Sequence, residues 1–272
     1  MRHLSLHNEQ PTTILLIHGA LSSPSDFSLV TPYLSEYHLL VPFLHAEVED
    51  STTAGFTASS MTSALASLIQ SHAKNSRAHI VGFSLGASLA IHLVSSHPDV
   101  IADSVVLSGI TLLNQRLSPG QLQLAPYFFF AQSALPNKLP GWLRERYSRL
   151  VLDPASPDWK PGAVDEATSV QTCRHVVTLL SELDLECHGP PPAQTRILVV
   201  AATSNNGIFK FPDSVEEAQA TLDWAMRGNQ RSSGVRVPAG SHPWPLQLPQ
   251  LFATMVKCWI TGKEMPDGIV PL

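Results

Sequence analysis

Short, wholly apolar runs alternate along this chain with longer segments patterned for helices, and that alternation restricts the architecture more than any other feature. Thr13–Ile17 (TILLI), His38–Val41 (HLLV), His79–Gly82 (HIVG), Ser104–Ser108 (SVVLS), Arg196–Ala201 (RILVVA) and Gly234–Val237 read as strands. Runs with no polar alternation belong to strands covered on both faces. Between them, Pro24–Leu34, Ser59–Ser71, Leu85–Ser96, Asp213–Arg227 and Pro245–Ile260 carry helical patterns. Asp213 is a natural N-cap for its helix, with Glu216 three residues on. Strands hidden from water and joined through helices imply an α/β fold with a doubly wound, mostly parallel sheet. No period of 20–50 residues recurs, which excludes solenoids and propellers.

One stretch breaks the rhythm. From Ile110 to Pro192 no strand-like run appears, while prolines and aromatics accumulate. Some eighty residues are too many for a structureless loop in a compact domain. The segment reads as a mostly helical lid, 110–192, inserted in a core made of 1–109 and 193–272. Leu117, Leu122, Leu124, Tyr127, Phe128, Phe129, Phe130, Trp142 and Leu143 make this lid too apolar for a solvated surface. Some of them are expected to face a hydrophobic ligand, since pockets are lined this way. Arg144, Arg146 and Arg149 read as a solvated helix face.

Composition narrows the function classes. Of 272 residues only 14% are charged, with 17 Lys and Arg against 22 Asp and Glu, for a net charge of −5. Nucleic acid, which needs clustered positive charge, is a poor partner for such a chain. With 44% apolar residues the chain is not disordered as a whole. Cys173, Cys187 and Cys258 are odd in number and widely spaced, which points to free thiols in a reducing compartment. Neither Cys173 with His175 nor Cys187 with His188 has the paired spacing of structural zinc, so no metal is expected. The first residues lack the apolar core of a signal peptide, and no run suffices for a membrane span. A cytoplasmic location is the expectation, and oligomeric state stays open.

Gly82-Phe83-Ser84-Leu85-Gly86 fits G-x-S-x-G and lies directly between a strand run and a helix. A nucleophile elbow needs that placement. The turn is so tight that both positions two residues away must be small, and the serine is left at a helix N-terminus. His18-Gly19-Ala20 follows the first strand. In an acyl-transfer site, the residues after such a glycine and after the nucleophile donate backbone N–H groups to the oxyanion; here those are Ala20 and Leu85. Among twelve histidines, His242 stands apart, because it follows the last strand in Ala-Gly-Ser-His-Pro-Trp and precedes a helix. That loop lies at the carboxyl ends of the strands, where open sheets bind ligands. His38, His79 and His92 sit inside element patterns and read as structural, while His45 is a candidate for lining the pocket.

Taken in order, HG, GFSLG, a lid and AGSHPWPLQLPQLF resemble the α/β-hydrolase superfamily over essentially the whole chain, with His242, Pro249 and Phe252 matching its G-x-H-…-P-x-x-F pattern. The resemblance implies a serine hydrolase without cofactor, in which Ser84 attacks an ester or thioester of a small hydrophobic metabolite and His242 moves the proton. His18, Phe83, Tyr127, Phe128, Trp142 and Trp244 are the expected substrate contacts. The chain departs from the pattern twice. His18 comes too early for the usual opening hairpin; Arg2–Leu6 offers one edge strand, and six or seven strands are expected. After RILVVAA the family's Gly-x-x-Asp is missing, and the first carboxylate is Asp213. Asp213 completes the relay if the loop before it folds back; Asn205 or Asn206 is the neutral alternative. An incomplete relay would favour a lyase or cyclase acting on a polyketide-like compound, and a non-catalytic ligand cradle is a third reading.

Overall fold

The computed structural model describes residues 1–20, 22–44, 57–137, 139–156, 158–159, 169–205 and 212–272. Eight strands form one sheet: β1 (His3–Leu6), β2 (Thr13–Ile17), β3 (His38–Pro42), β4 (Ala78–Phe83), β5 (Ile101–Ser108), β6 (Arg196–Ala202), β7 (Ser233–Val237) and β8 (Val270–Pro271). Their spatial order is β1-β3-β2-β4-β5-β6-β7-β8. The six inner strands are parallel, and β1 and β8 pair antiparallel at the two edges.

The count exceeds the six or seven expected, because β8 is only two residues long and joins β7 through Val235↔Pro271 and Arg236↔Val270. So short a strand leaves no apolar run to read, and its proline is tolerated at an edge. The opening strand is the single one that Arg2–Leu6 offered. Buried His38 bridges it to the interior, with ring nitrogens 2.9 Å from Ser5 Oγ and 3.0 Å from Thr13 Oγ1.

Alternate residues of each strand feed two separate cores, as the two-residue period of a strand requires. Leu15, Ile17, Ile80, Val105, Leu107, Ile197 and Val199 pack on one face, against α1 (Ala58–His72) and α2 (Leu85–Ser96). Ile14, Leu16, Val81, Val106, Leu198 and Val200 pack on the other, with Phe27, Val30 and Leu34. These last three belong to two 3₁₀ turns, Pro24–Phe27 and Thr31–Leu34, and the bend between them, where one helix over Pro24–Leu34 was expected. Each turn has a proline in its first two positions, which divides the segment.

Among the described residues, four helices lie between β5 and β6: α3 (Leu113–Arg116), α4 (Pro119–Asn137), α5 (Gly141–Leu152) and α6 (Val170–Ser181). Helix α6 buries Cys173, Val176, Val177, Leu179 and Leu180 against the first core, whereas α5 buries none of its residues. After β6 come α7 (Val215–Gly228), α8 (Trp244–Gln247) and α9 (Pro249–Thr261). Helix α7 starts two residues later than the sequence suggested. Its cap is Ser214, whose hydroxyl accepts from the Glu217 N–H at 3.1 Å, so Asp213 is not the N-cap.

Candidate active site

The G-x-S-x-G turn owes its shape to contacts that leave no room for side chains. A Cβ on Gly82 would lie 2.4 Å from the Gly86 carbonyl oxygen, and one on Gly86 2.0 Å from that of Ile17. Ser84 between them adopts φ 56°, ψ −118°, a conformation few non-glycine residues take, and its N–H donates to the Ser108 carbonyl at 2.8 Å. The strand-to-helix turn thus lifts Ser84 above the sheet at the N-terminus of α2.

The β7–α8 loop carries His242. Ser204 N–H donates to the Gly240 carbonyl at 2.7 Å, and Ser241 N–H to Gln247 Oε1 at 2.9 Å. Trp244 is fully buried, donates its indole N–H to Ser108 Oγ at 2.9 Å and packs on Phe252 with ring centroids 4.8 Å apart. The residues of the terminal signature therefore anchor the loop. Phe83, next to Ser84, lies against the His242 ring at 5.1 Å between centroids.

Asp213 reaches the imidazole because it is paired to the end of β6. The Asp213 N–H donates to the Ala202 carbonyl at 2.8 Å, and the Ala202 N–H donates to Asp213 Oδ2 at 2.7 Å. Its other oxygen, Oδ1, is 2.6 Å from His242 Nδ1. A carboxylate there fixes the proton on Nδ1 and leaves Nε2 as the acceptor. Burial opposes a charged imidazole, but the charge and hydrogen bond of Asp213 and the charge of Asp26 outweigh it, holding His242 above the ordinary histidine value; Arg116 pulls the other way. Asn205 is exposed and makes no bond to the ring; Asn206, like His45, lies outside the described residues.

Ser84, His242, Asp213 and Ala20 share the wall of one cavity of about 720 Å³, within the range of small-molecule sites. Leu117, Leu124, Ala125, Phe128, Phe129 and Leu180 form its apolar side. Five of the six expected substrate contacts are not on that wall. His18 is fully buried with Nδ1 2.9 Å from the Gly19 carbonyl, and its Nε2 accepts the Leu44 N–H at 3.3 Å, so the ring ties Gly19 to Leu44. Trp244 is fully enclosed. Tyr127 and Trp142 stand out in solvent, because α4 and α5 turn those side chains away from the cavity. Phe83 lies beneath the imidazole, and Phe128 alone of the six lines the cavity. The Leu85 side chain is buried, but its N–H, at the first helical position, has no partner within the helix.

Two further residues around the site escaped the sequence reading. The Asp26 carboxylate accepts the Gly19 N–H at 3.1 Å and the Ser22 hydroxyl, tying down the loop that presents Ala20. Burial pushes its carboxyl above the ordinary value, although Ser22, Gly19 and the charge of His242 oppose this. Arg116, on α3, lines the cavity. An acid seven positions after an HG pair carries no local signal, and Arg116 sat in a segment read for its apolar residues.

The comparisons with known proteins agree with this fold. Residues 14–255 match the Alpha/beta hydrolase family. The chain belongs to that family. It is 30% identical over 264 residues to an AB hydrolase superfamily protein of Gibberella zeae, covering 96% of this chain and 84% of the relative. Among solved structures it resembles a putative alpha/beta hydrolase family protein from Desulfitobacterium hafniense, with TM-score 0.69 and 16% identity over 94% of this chain and 98% of that one. The enol-lactonase of Burkholderia xenovorans LB400 is similar at TM-score 0.67 and 17% identity, over 96% and 95%. At such identities the likeness is one of fold.

Proposed function

We propose that this α/β hydrolase is a serine hydrolase cleaving an ester or thioester of a small, largely apolar metabolite. Ser84 Oγ attacks the acyl carbon while His242 Nε2 takes its proton; the same imidazole then protonates the leaving group. Asp213 holds the ring in the required tautomer and stabilises the imidazolium. The N–H groups of Ala20 and Leu85 receive the oxyanion, and water, deprotonated by His242, releases the acyl group. The 110–192 segment acts as a lid whose Leu117, Leu124, Phe128 and Phe129 contribute the apolar wall. No metal takes part in these steps.

The observation that carries this reading is the 2.6 Å contact between Asp213 and His242 on a wall shared with Ser84. It also removes the motive for a lyase or cyclase, which was an incomplete relay. The test is covalent trapping. A fluorophosphonate probe should label the native protein at Ser84, and Ser84→Ala should abolish both labelling and turnover of short-chain esters. Full turnover by a folded Ser84→Ala protein refutes the covalent step.

A further inference from the structure

The cavity that holds Ser84 has one polar sector, and its chemistry bears on the substrate. Arg116 is the only arginine or lysine on the cavity wall among the described residues. Its guanidinium is clamped from behind by Glu217: Nε donates to Oε1 at 2.6 Å and Nη2 to Oε2 at 2.7 Å. The Glu217 side chain is 8% exposed, and its Oε1 also accepts the Leu112 N–H at 3.2 Å. The guanidinium plane is thereby fixed before any ligand arrives, so little rotamer freedom remains to be lost on binding.

That clamp uses two of the five N–H donors of the guanidinium. The rest, including both on Nη1, make no hydrogen bond to a described residue, and the arginine side chain, which lines the cavity, is 44% exposed. Beside it, Gln121 spends its carbonyl oxygen on the Ser118 N–H and hydroxyl, each at 2.9 Å, which leaves its amide NH₂ as a donor. The sector therefore offers donors whose matching acceptors are already consumed. An arginine fork matches the two oxygens of a carboxylate in a bidentate pair. Its charge also reaches the reaction centre, since Arg116 opposes protonation of His242.

Resting on the serine-hydrolase reading, we infer that the substrate is a half-ester or half-thioester of a dicarboxylic acid, its free carboxylate held by Arg116 and Gln121 while its acyl carbon meets Ser84. Glu217 balances the arginine charge, so recognition works through oriented hydrogen bonds more than through bare attraction. Hydrogen bonds to a charged group correspond to a preference of about 10- to 100-fold.

The test compares monoethyl succinate, glutarate and adipate with ethyl butyrate, valerate and hexanoate in a pH-stat. Wild-type kcat/KM should favour the half-ester by about 10- to 100-fold at one chain length or more. Arg116→Lys, which keeps a cation for Glu217 but loses the fork, should collapse that ratio toward one. If this variant fails to fold by circular dichroism, Gln121→Leu, which leaves the ion pair alone, should lower the ratio. Equal kcat/KM for the two series, in a protein whose Ser84 is labelled by fluorophosphonate, overturns the carboxylate inference and leaves the hydrolase reading standing. Absence of both labelling and turnover defeats the hydrolase reading instead. Calorimetry with glutarate then decides the subsite: binding lost in Arg116→Lys supports it, and no binding to the wild type overturns it.

Discussion

Gly109 follows β5 directly, and replacing it by alanine isolates the placement of the imidazole. The residue has φ +66°, where a side chain adds about 1–2 kcal/mol of backbone strain. A Cβ there would lie 2.8 Å from His242 Cε1 and 3.0 Å from Nδ1, well inside van der Waals contact. Carbon atoms prefer about 3.5 Å or more, so the ring must retreat by roughly 0.7 Å. It has little freedom to do so, being held at 2.6 Å by Asp213 and packed on Phe83. A displacement near 1 Å in a reacting group costs about 100-fold in rate. Gly109→Ala should therefore lose about 100-fold in kcat on an activated ester, slow fluorophosphonate labelling similarly, and lower unfolding stability in urea by about 1–2 kcal/mol. Gly262 supplies the control. It has φ +69° with nothing within 4 Å of its virtual Cβ. Gly262→Ala should show the stability loss without the kinetic one. A Gly109→Ala enzyme as fast as its parent, or a Gly262→Ala enzyme equally impaired, would refute the placement argument.

Three further outcomes are expected. Asp213→Asn should keep the fold yet drop kcat by about 10⁴, the loss seen when the acid of a protease triad is amidated; a change below tenfold would leave Asp213 without its orienting role. The acid limb of kcat/KM against pH should have its midpoint above the ordinary histidine value of 6.5, because His242 must be neutral to accept a proton and its environment favours the charged form. Removing one cause of that in Asp26→Asn should move the limb to lower pH, and an upward or absent movement contradicts the assigned coupling. Finally, burial and the neighbouring His188 lower His92 from 6.5 to about 4. The unfolded chain then binds a proton that the folded one refuses. Stability should fall by about 3 kcal/mol as pH drops from about 6.5 to 4, and denaturation of His92→Leu should lack that component.

Legibility in the sequence followed the locality of the cause. The parallel core was readable because strands covered on both faces need unbroken apolar runs, and Leu85–Ser96 is helical over the expected residues. Gly82 and Gly86 announced the elbow because they stand in one short motif, although only Gly82 answers a steric demand within a few positions and Gly86 answers to the Ile17 carbonyl on the neighbouring strand. Asp213 was ambiguous for the opposite reason. Capping a helix and reaching across a loop both suit a carboxylate before Val215, and only the pairing of Asp213 with Ala202 separates them. Trp244 and His18 look like ligand contacts by proximity to motifs, yet both are enclosed. Asp26 and Arg116 act through partners, Gly19 and Glu217, that no spacing rule connects to them.

Ser108 has a consequence for how such a site tolerates change. Its carbonyl takes the Ser84 amide and its hydroxyl takes the Trp244 indole, so the two arms of the site hang from one peg on the central strand. Insertions farther out in either arm leave the spacing between hydroxyl and imidazole untouched. The peripheral loops are thereby free to diversify, while loss of the hydroxyl at this position would release the Trp244 arm and leave the Ser84 arm on its backbone carbonyl.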